Sequence, residues 1–190
     1  MNKSFSRSTG NFPTIVFISI RVKMIRAAGG GDTAGLICKR YNVKGEIIMT
    51  REANPIPQGK YVPATRFGNM IFTAGMTPRN NGVLLKTGKI KATDEIADYK
   101  EAVVQAAKNA LTAAKNKLGN GEKIAQIMQI TVYVNSETDF TKQPKIADFA
   151  SEYFCEELGE SGVGSRAAVG VAVLPGDAPV EISIIAGVEN

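Results

Sequence analysis

The chain has 190 residues, of which 44% are hydrophobic and 22% are charged, a composition typical of an ordinary globular protein. Its formal charge of +5 resides in residues 1–48, which hold eight Lys or Arg against Asp32 and Glu46; the remainder carries a charge of −1. Because a phosphate-tracking surface needs a basic stripe on the folded domain, this distribution argues against nucleic acid as a partner, and no apolar run is long enough to span a membrane.

The residue types that the chain lacks exclude several kinds of chemistry. It contains no histidine, which excludes Ser-His and Cys-His nucleophiles, His-ligated metal and histidine acid-base pairs. Cys38 and Cys155 have no metal-ligand spacing, and a disulfide framework would need more cysteines. We therefore expect a protein of a reducing, cytoplasmic compartment.

Residues 1–46 are predicted to be an N-terminal extension, followed by one domain at residues 47–190. The extension has no regular hydrophobic period, contains Arg and Ser, and has no acidic residue before Asp32, as in transit peptides. Organellar targeting is one interpretation. The others are a disordered tail, or upstream sequence from an early start with Met49 as the real initiator.

The order β-β-(β)-α-β-α-β-β is predicted for the domain. Strands at 61–67 and 70–76 flank a Gly-Asn turn, and residues 82–85 are a candidate third strand. Later elements are helices at 93–118 and 140–158 and strands at 124–134, 167–174 and 180–186. The economical packing is an α+β fold with both helices on one face of a mixed sheet. The other face is also apolar, so self-association is the expected cover.

Two charged side chains lie in the apolar C-terminal strands. Arg166 is predicted either to clamp a small carboxylate or to form an edge-strand salt bridge. Glu181 is either a semi-buried group whose raised pKa allows proton exchange near neutrality, or part of a solvated edge face. If residues 175–179 closed a simple hairpin, the two would lie roughly 23 Å apart. Either the strands are not hairpin neighbours, or the site is completed between subunits.

A second candidate group comprises Tyr61 and Gly75. The Tyr61 hydroxyl lies at a predicted strand start, and Gly75 would allow a ligand to approach the backbone closely. Each residue also has a purely structural interpretation, as a core tyrosine and as a bulge or turn glycine.

Together these residues form a pattern that resembles the Rid family, the YjgF-like proteins also labelled endoribonuclease L-PSP, and within it the chorismate-mutase-like branch. The resemblance covers residues 47–188, without the extension. It is carried by Tyr61, by NMIFTAG at 69–75, by NALTAAKNKLGNG at 109–121, and by SR-x12-PVE-I at 165–182.

The resemblance implies a chorismate-mutase-like homotrimer with three intersubunit clefts. In it, Arg166 would hold the carboxylate of a 2-imino or 2-enamino acid, and Glu181 would activate the water that adds to the imine carbon. Tyr61 would match the cleft tyrosine, and the backbone at Gly75 and Ala168 would supply polar contacts. No cofactor or metal is implied.

The resemblance also carries departures and alternatives. Ala168 stands where Cys is usual, Ala74 where a hydroxyl residue is common and Met76 where Gln is common, which changes the polarity of the cleft. The implied activity is that of a 2-iminobutanoate/2-iminopropanoate deaminase-like hydrolase. The alternative is a non-catalytic protein of the same fold that binds a small carboxylate metabolite. A ribonuclease is disfavoured by the missing histidine and the domain charge.

Overall fold

The computed structural model describes residues 53–190 and, before them, the backbone of two short strands, β1 (Val22–Ile25) and β2 (Ile37–Arg40), which pair antiparallel. The chain divides into two compact units, Met1–Met49 and Thr50–Asn190. The alternatives for residues 1–46, a disordered tail, a targeting segment or an early start, otherwise lie outside the described residues.

Within residues 53–190, the second unit contains seven strands and two α-helices. In chain order they are β3 (Ala64–Phe67), β4 (Met70–Thr73), β5 (Arg79–Asn80), β6 (Val83–Leu84), α1 (Lys100–Lys115), β7 (Lys123–Asn135), α2 (Gln143–Leu158), β8 (Ser165–Val171) and β9 (Val180–Glu189). Short 3₁₀ turns precede α1 and follow α2.

Five of these strands form one mixed sheet, in the order β3-β4-β9-β7-β8. All neighbours are antiparallel except β7 and β8, which are parallel. A parallel pair needs a crossover connection, and α2 provides it. The predicted mixed α+β sheet with two helices is therefore confirmed.

The core lies between the two helices and one face of this sheet. Along β9 the buried side chains alternate with less buried ones, because successive residues point to opposite faces. α1 meets the sheet through small side chains, so its backbone packs close to β9. The buried residues at the centre of this layer include Val103, Ala106, Ala110, Ile130, Val132, Ile182, Ile184 and Phe154.

The candidate third strand belongs to a separate hairpin. β5 and β6 pair with each other and are joined by Asn81 and Gly82, which both have positive φ, at 50° and 84°. Two successive left-handed residues define the tight turn that Asn-Gly favours. This Asn-Gly pair is a local hairpin signal, and it places the second strand of the hairpin directly after Gly82.

The structure corrects one expectation about the C-terminal strands and decides one alternative. The apolar run at residues 167–174 predicts a strand that is central or covered on both sides, but β8 is an edge strand of the five-stranded sheet. β8 and β9 do not form a hairpin, because β7 lies between them. Of the two, only β9 is central, and it pairs with β4 on one side and β7 on the other.

Candidate active site

Glu181 lies on the central strand β9 and leaves the sheet on the face away from the helices. Its neighbours Val180 and Ile182 are fully buried on the helix side, whereas Glu181 is half-buried. Burial raises the pKa of the Glu181 carboxyl above its ordinary value of 4.5, because desolvation penalises the charged form. The solvated edge-strand interpretation is therefore wrong for this residue.

Gly75 forms the surface against which the Glu181 side chain rests. A Cβ added at Gly75 would come within 2.6 Å of Glu181 Cδ, so a larger residue would force the Glu181 side chain to move. The next residue fixes this arrangement: Met76 N–H donates to Ile182 O at 2.8 Å, and Ile182 N–H donates to Met76 O at 3.0 Å. The structure thus brings Glu181 and Gly75 together.

Arg166 is engaged by helix α2. Its Nη2 lies 3.0 Å from Asp148 Oδ1, and its Nη1 donates to Ser151 Oγ at 2.8 Å. Nη2 also donates to the carbonyl of Pro144 at 3.4 Å. The Arg166 side chain is 23% exposed, so the guanidinium is held at the rim of the sheet and part of it faces solvent. This geometry contains the edge-strand salt bridge that the sequence offered as one alternative.

The other two predicted residues, Ala168 and Tyr61, lie in different environments. Ala168 shares the Arg166 side of β8 and packs against the core. Tyr61 is 48% exposed, and its hydroxyl accepts a hydrogen bond from Gln58 N–H at 3.2 Å. Tyr61 and Gly75 line a common cavity of about 290 Å³.

Arg166 and Glu181 do not meet within one chain. Arg166 is level with Ile130 on β7, and Glu181 is level with Tyr133. The two Cα positions are therefore offset by about 10 Å along the strand direction, and they are two strand spacings of about 4.8 Å apart across the sheet. This geometry replaces the separation of roughly 23 Å expected for a hairpin. Because the register positions differ by three residues, the two side chains leave opposite faces of the sheet.

The face that carries Glu181 presents apolar side chains, and no element within residues 53–190 covers it. Phe67 is 86% exposed there, and the other exposed apolar side chains of this face are Met70, Phe72, Met128 and Val169. An exposed apolar surface of this kind marks an interaction site. It continues to the strand edge near Arg166.

The sequence analysis did not identify Asp148 and Ser151 as contacts of Arg166. No local signal could have identified them, because the contact depends on how α2 packs across β8. Within residues 53–190, no group of three His, Cys, Asp or Glu side chains is placed to hold a metal ion. Over the same residues, no helix has the length and apolar character needed to cross a membrane.

The fold and these residues together define a class: a small α+β domain of chorismate-mutase-like architecture, with a half-buried glutamate on the open face of its sheet. The model of the endoribonuclease L-PSP family matches residues 51–188. The chain belongs to this family, the Rid or YjgF family, and the resemblance seen in its motifs is confirmed.

Individual proteins agree with this assignment. A RutC family protein from Pyrococcus horikoshii is 36% identical, over 74% of this chain and 96% of that protein. A protein of unknown function from Agrobacterium tumefaciens has a similar solved structure, with 34% identity and a TM-score of 0.65 over 71% of this chain and 87% of that one. A 2-iminobutanoate/2-iminopropanoate deaminase from Dermatophagoides farinae is 28% identical, over 75% of this chain and 96% of that protein.

Proposed function

We propose that the protein hydrolyses reactive 2-imino and 2-enamino acids to 2-oxo acids and ammonia. The observation that carries this proposal is the half-buried Glu181, pressed against Gly75 with its pKa raised by burial. A carboxyl group poised in this way can take a proton from water and return it to a leaving nitrogen. The Dermatophagoides farinae relative named as a deaminase supports the same reaction.

The proposed reaction needs few catalytic groups. A 2-enamino acid first tautomerises to the 2-imino acid as a proton leaves nitrogen and another is added at C3. The imine carbon is electrophilic, and water adds to it to give a carbinolamine. The carbinolamine then loses ammonia as the C–N bond breaks and the C=O bond forms. Glu181 would accept a proton from the attacking water and donate one to the departing nitrogen. Neither step needs a histidine.

The substrate carboxylate would be held by Arg166 of a second copy of the chain. Within one chain Arg166 and Glu181 leave opposite faces of the sheet, so one small molecule cannot touch both. The apolar face with Phe67 and Phe72 would pack in a homotrimer and bring one copy's β8 edge to another copy's Glu181. Asp148 and Ser151 would then hold the guanidinium in position.

The direct test is the release of pyruvate from 2-aminoacrylate generated enzymatically in the assay. We expect the wild type to exceed the spontaneous rate, and Glu181→Gln to lose about 10²- to 10⁴-fold of the enzymatic rate, the usual contribution of a general acid-base group. Arg166→Ala should lose at least about tenfold in kcat/KM, because it removes the charged carboxylate partner.

The matched controls replace charged residues away from the site. Glu152→Gln, on the exposed part of α2, should keep the wild-type rate. So should Arg66→Gln on edge strand β3, whose guanidinium pairs with Glu122. A wild type that does not exceed the spontaneous rate, or equal rates for wild type and Glu181→Gln, contradicts the proposal.

The pair between Arg166 and Asp148 favours a second candidate, a non-catalytic protein that binds a small carboxylate metabolite. A guanidinium already paired with one carboxylate is suited to weak, exchangeable binding of another. In this case Arg166→Ala would abolish binding of a 2-oxo acid such as pyruvate, while Glu181→Gln would leave its affinity unchanged. Calorimetric titration of both variants separates the two candidates.

A further inference from the structure

Glu181 is less exposed than several apolar side chains of the same sheet face. Phe67 and Val169 are 86% and 41% exposed there, whereas Glu181 is half-buried. A carboxyl group gains more from water than an apolar side chain does, so its burial on this face needs a cause close beside it. The segments that flank β9 on its two sides supply that cause.

The β4 side of Glu181 is closed by backbone. Gly75 lies against the side chain, where an added Cβ would come within 2.9 Å of Glu181 Cγ. The two hydrogen bonds between Met76 and Ile182 hold this backbone in place. Because glycine has no side chain, it covers the carboxyl from one side and leaves the opposite side to another residue.

The β7 side of Glu181 is occupied by Tyr133. The two residues are partners in the antiparallel ladder of β7 and β9, and the pairs before and after them are in register without a bulge. Directly opposite residues leave the same face of a sheet, with Cβ atoms about 4.5–5.5 Å apart. The Tyr133 side chain therefore leaves the sheet beside that of Glu181, and it is itself partly buried.

The raised pKa of Glu181 agrees with an aromatic wall on this side. Burial is its cause, whereas a hydroxyl that donated to the carboxylate, or a nearby cation, would lower the pKa. The other titratable side chains around Gly75 are those of the cavity that it lines, Tyr61, Arg79 and Lys108. None of the three contributes to the shift. The effect of Tyr133 on Glu181 is thus the cover given by its ring, and not a hydrogen bond from its hydroxyl.

We propose that Tyr133 is a positioning residue for Glu181: its ring covers the carboxyl from the β7 side, opposite Gly75, and excludes water there. The purpose of this cover rests on the proposed hydrolase function. A carboxyl held between two walls points away from the sheet, where the imine and the attacking water would lie. The ring thereby sets both the direction and the protonation of the acid-base group.

The test is a carbon-13 NMR titration of the Glu181 carboxyl in the full chain, with its signal assigned by its loss in Glu181→Gln. Wild type and Tyr133→Phe should both titrate above the ordinary pKa of 4.5, because both keep the ring. Tyr133→Val removes the ring but introduces a residue that suits a strand, so the fold is kept. In this variant the pKa of Glu181 should be lower, nearer to 4.5.

The matched control makes the same kind of change elsewhere on the same face. Phe72 is level with Ile185, about 13 Å along β9 from Glu181. Phe72→Val also removes an aromatic ring, and it should leave the titration of Glu181 as in the wild type. The proposal is overturned if Tyr133→Val titrates as the wild type does, or if Tyr133→Phe or Phe72→Val shifts the titration as far as Tyr133→Val.

Activity measurements separate this inference from the proposed function. In the 2-aminoacrylate assay, Tyr133→Val should lower kcat about tenfold and keep KM within about twofold, because the carboxyl is less often aligned. The acidic limb of its kcat–pH profile should move to lower pH, and Tyr133→Phe should keep the wild-type profile.

The two ideas fail in different ways. A wild type that does not exceed the spontaneous rate contradicts the deaminase function, while the titration still decides whether Tyr133 covers Glu181. If Glu181→Gln loses activity but Tyr133→Val keeps the wild-type titration and pH profile, the function stands and the role of Tyr133 is refuted.

Discussion

The two faces of the five-stranded sheet differ in how exposed their side chains are. On the helix face Ile130, Val132, Ile182 and Ile184 are at most 2% exposed and pack under α1 and α2. On the open face Phe67 is 86% exposed. The first face encloses the core of the single chain, and the second exposes apolar side chains and a half-buried carboxyl.

This contrast separates stability from function within single strands. Adjacent residues of β9, such as Glu181 and Ile182, point to opposite faces, so a substitution at one tests chemistry and a substitution at the next tests folding. We therefore expect substitutions at neighbouring positions of one strand to have very different effects.

The largest effect is expected on the helix face. Ile182→Ala should lower the free energy of unfolding by about 2–5 kcal/mol, because it removes buried methyl groups and leaves a cavity. Urea denaturation followed by circular dichroism measures this loss. Ile185→Ala, three positions along and on the open face, is the matched control.

Under conditions where the chain is monomeric, we expect Ile185→Ala to cost clearly less than Ile182→Ala, since Ile185 is only partly buried. Equal losses at the two positions would break the distinction between the faces.

An intermediate effect is expected on assembly. Phe67→Ser should leave the single chain folded, because this side chain is almost fully exposed. It should weaken self-association by about 1.5–3 kcal/mol for each buried ring. Light scattering coupled to size-exclusion chromatography reports the change in mass with concentration.

The control for this prediction is Val173→Ser, which alters a residue that is 67% exposed but lies beyond the end of β8. It should assemble as the wild type does. If Phe67→Ser and Val173→Ser have the same mass as the wild type at all concentrations, the open face is not the assembly surface.

The smallest effect is a pH dependence of stability. The pKa of Glu181 is higher in the folded chain than its ordinary 4.5, so the folded state favours the neutral carboxyl. Wild-type stability should then fall relative to Glu181→Gln as pH rises from about 4.5 through the raised pKa, and should match it below that window. Urea midpoints at pH 4, 6 and 8 check the sign. A difference that does not vary with pH would contradict the burial of this carboxyl.

The sequence predicted elements well where their signal is local. Both helices and β3, β4, β7 and β9 were predicted, because helical and alternating hydrophobic periods can be recognised within a short stretch of sequence. The edge position of β8 was not predicted, because an apolar run can form an edge strand or a central strand, depending on which distant strands pair with it. The crossover through α2 places β8 beside β7 and so separates β8 from β9.

The site was predictable only as far as residue types allow. Arg166 and Glu181 stood out because charges are rare in apolar strands. The role of Gly75 was not predictable from its neighbours in the chain. It lies against the carboxylate of Glu181, more than a hundred residues later, which a Cβ at position 75 would displace.

The central position of β9 has a consequence for how the domain is made. β9 is the last strand in the chain, yet it supplies the pairing surface for both β4 and β7. During synthesis the sheet therefore stays divided, with two unpaired strand edges, until this final segment is available. Folding must wait for contacts between distant parts of the chain, which makes it slow compared with folding through local contacts. Removal of residues 180–189 would leave an aggregation-prone remnant rather than a smaller domain.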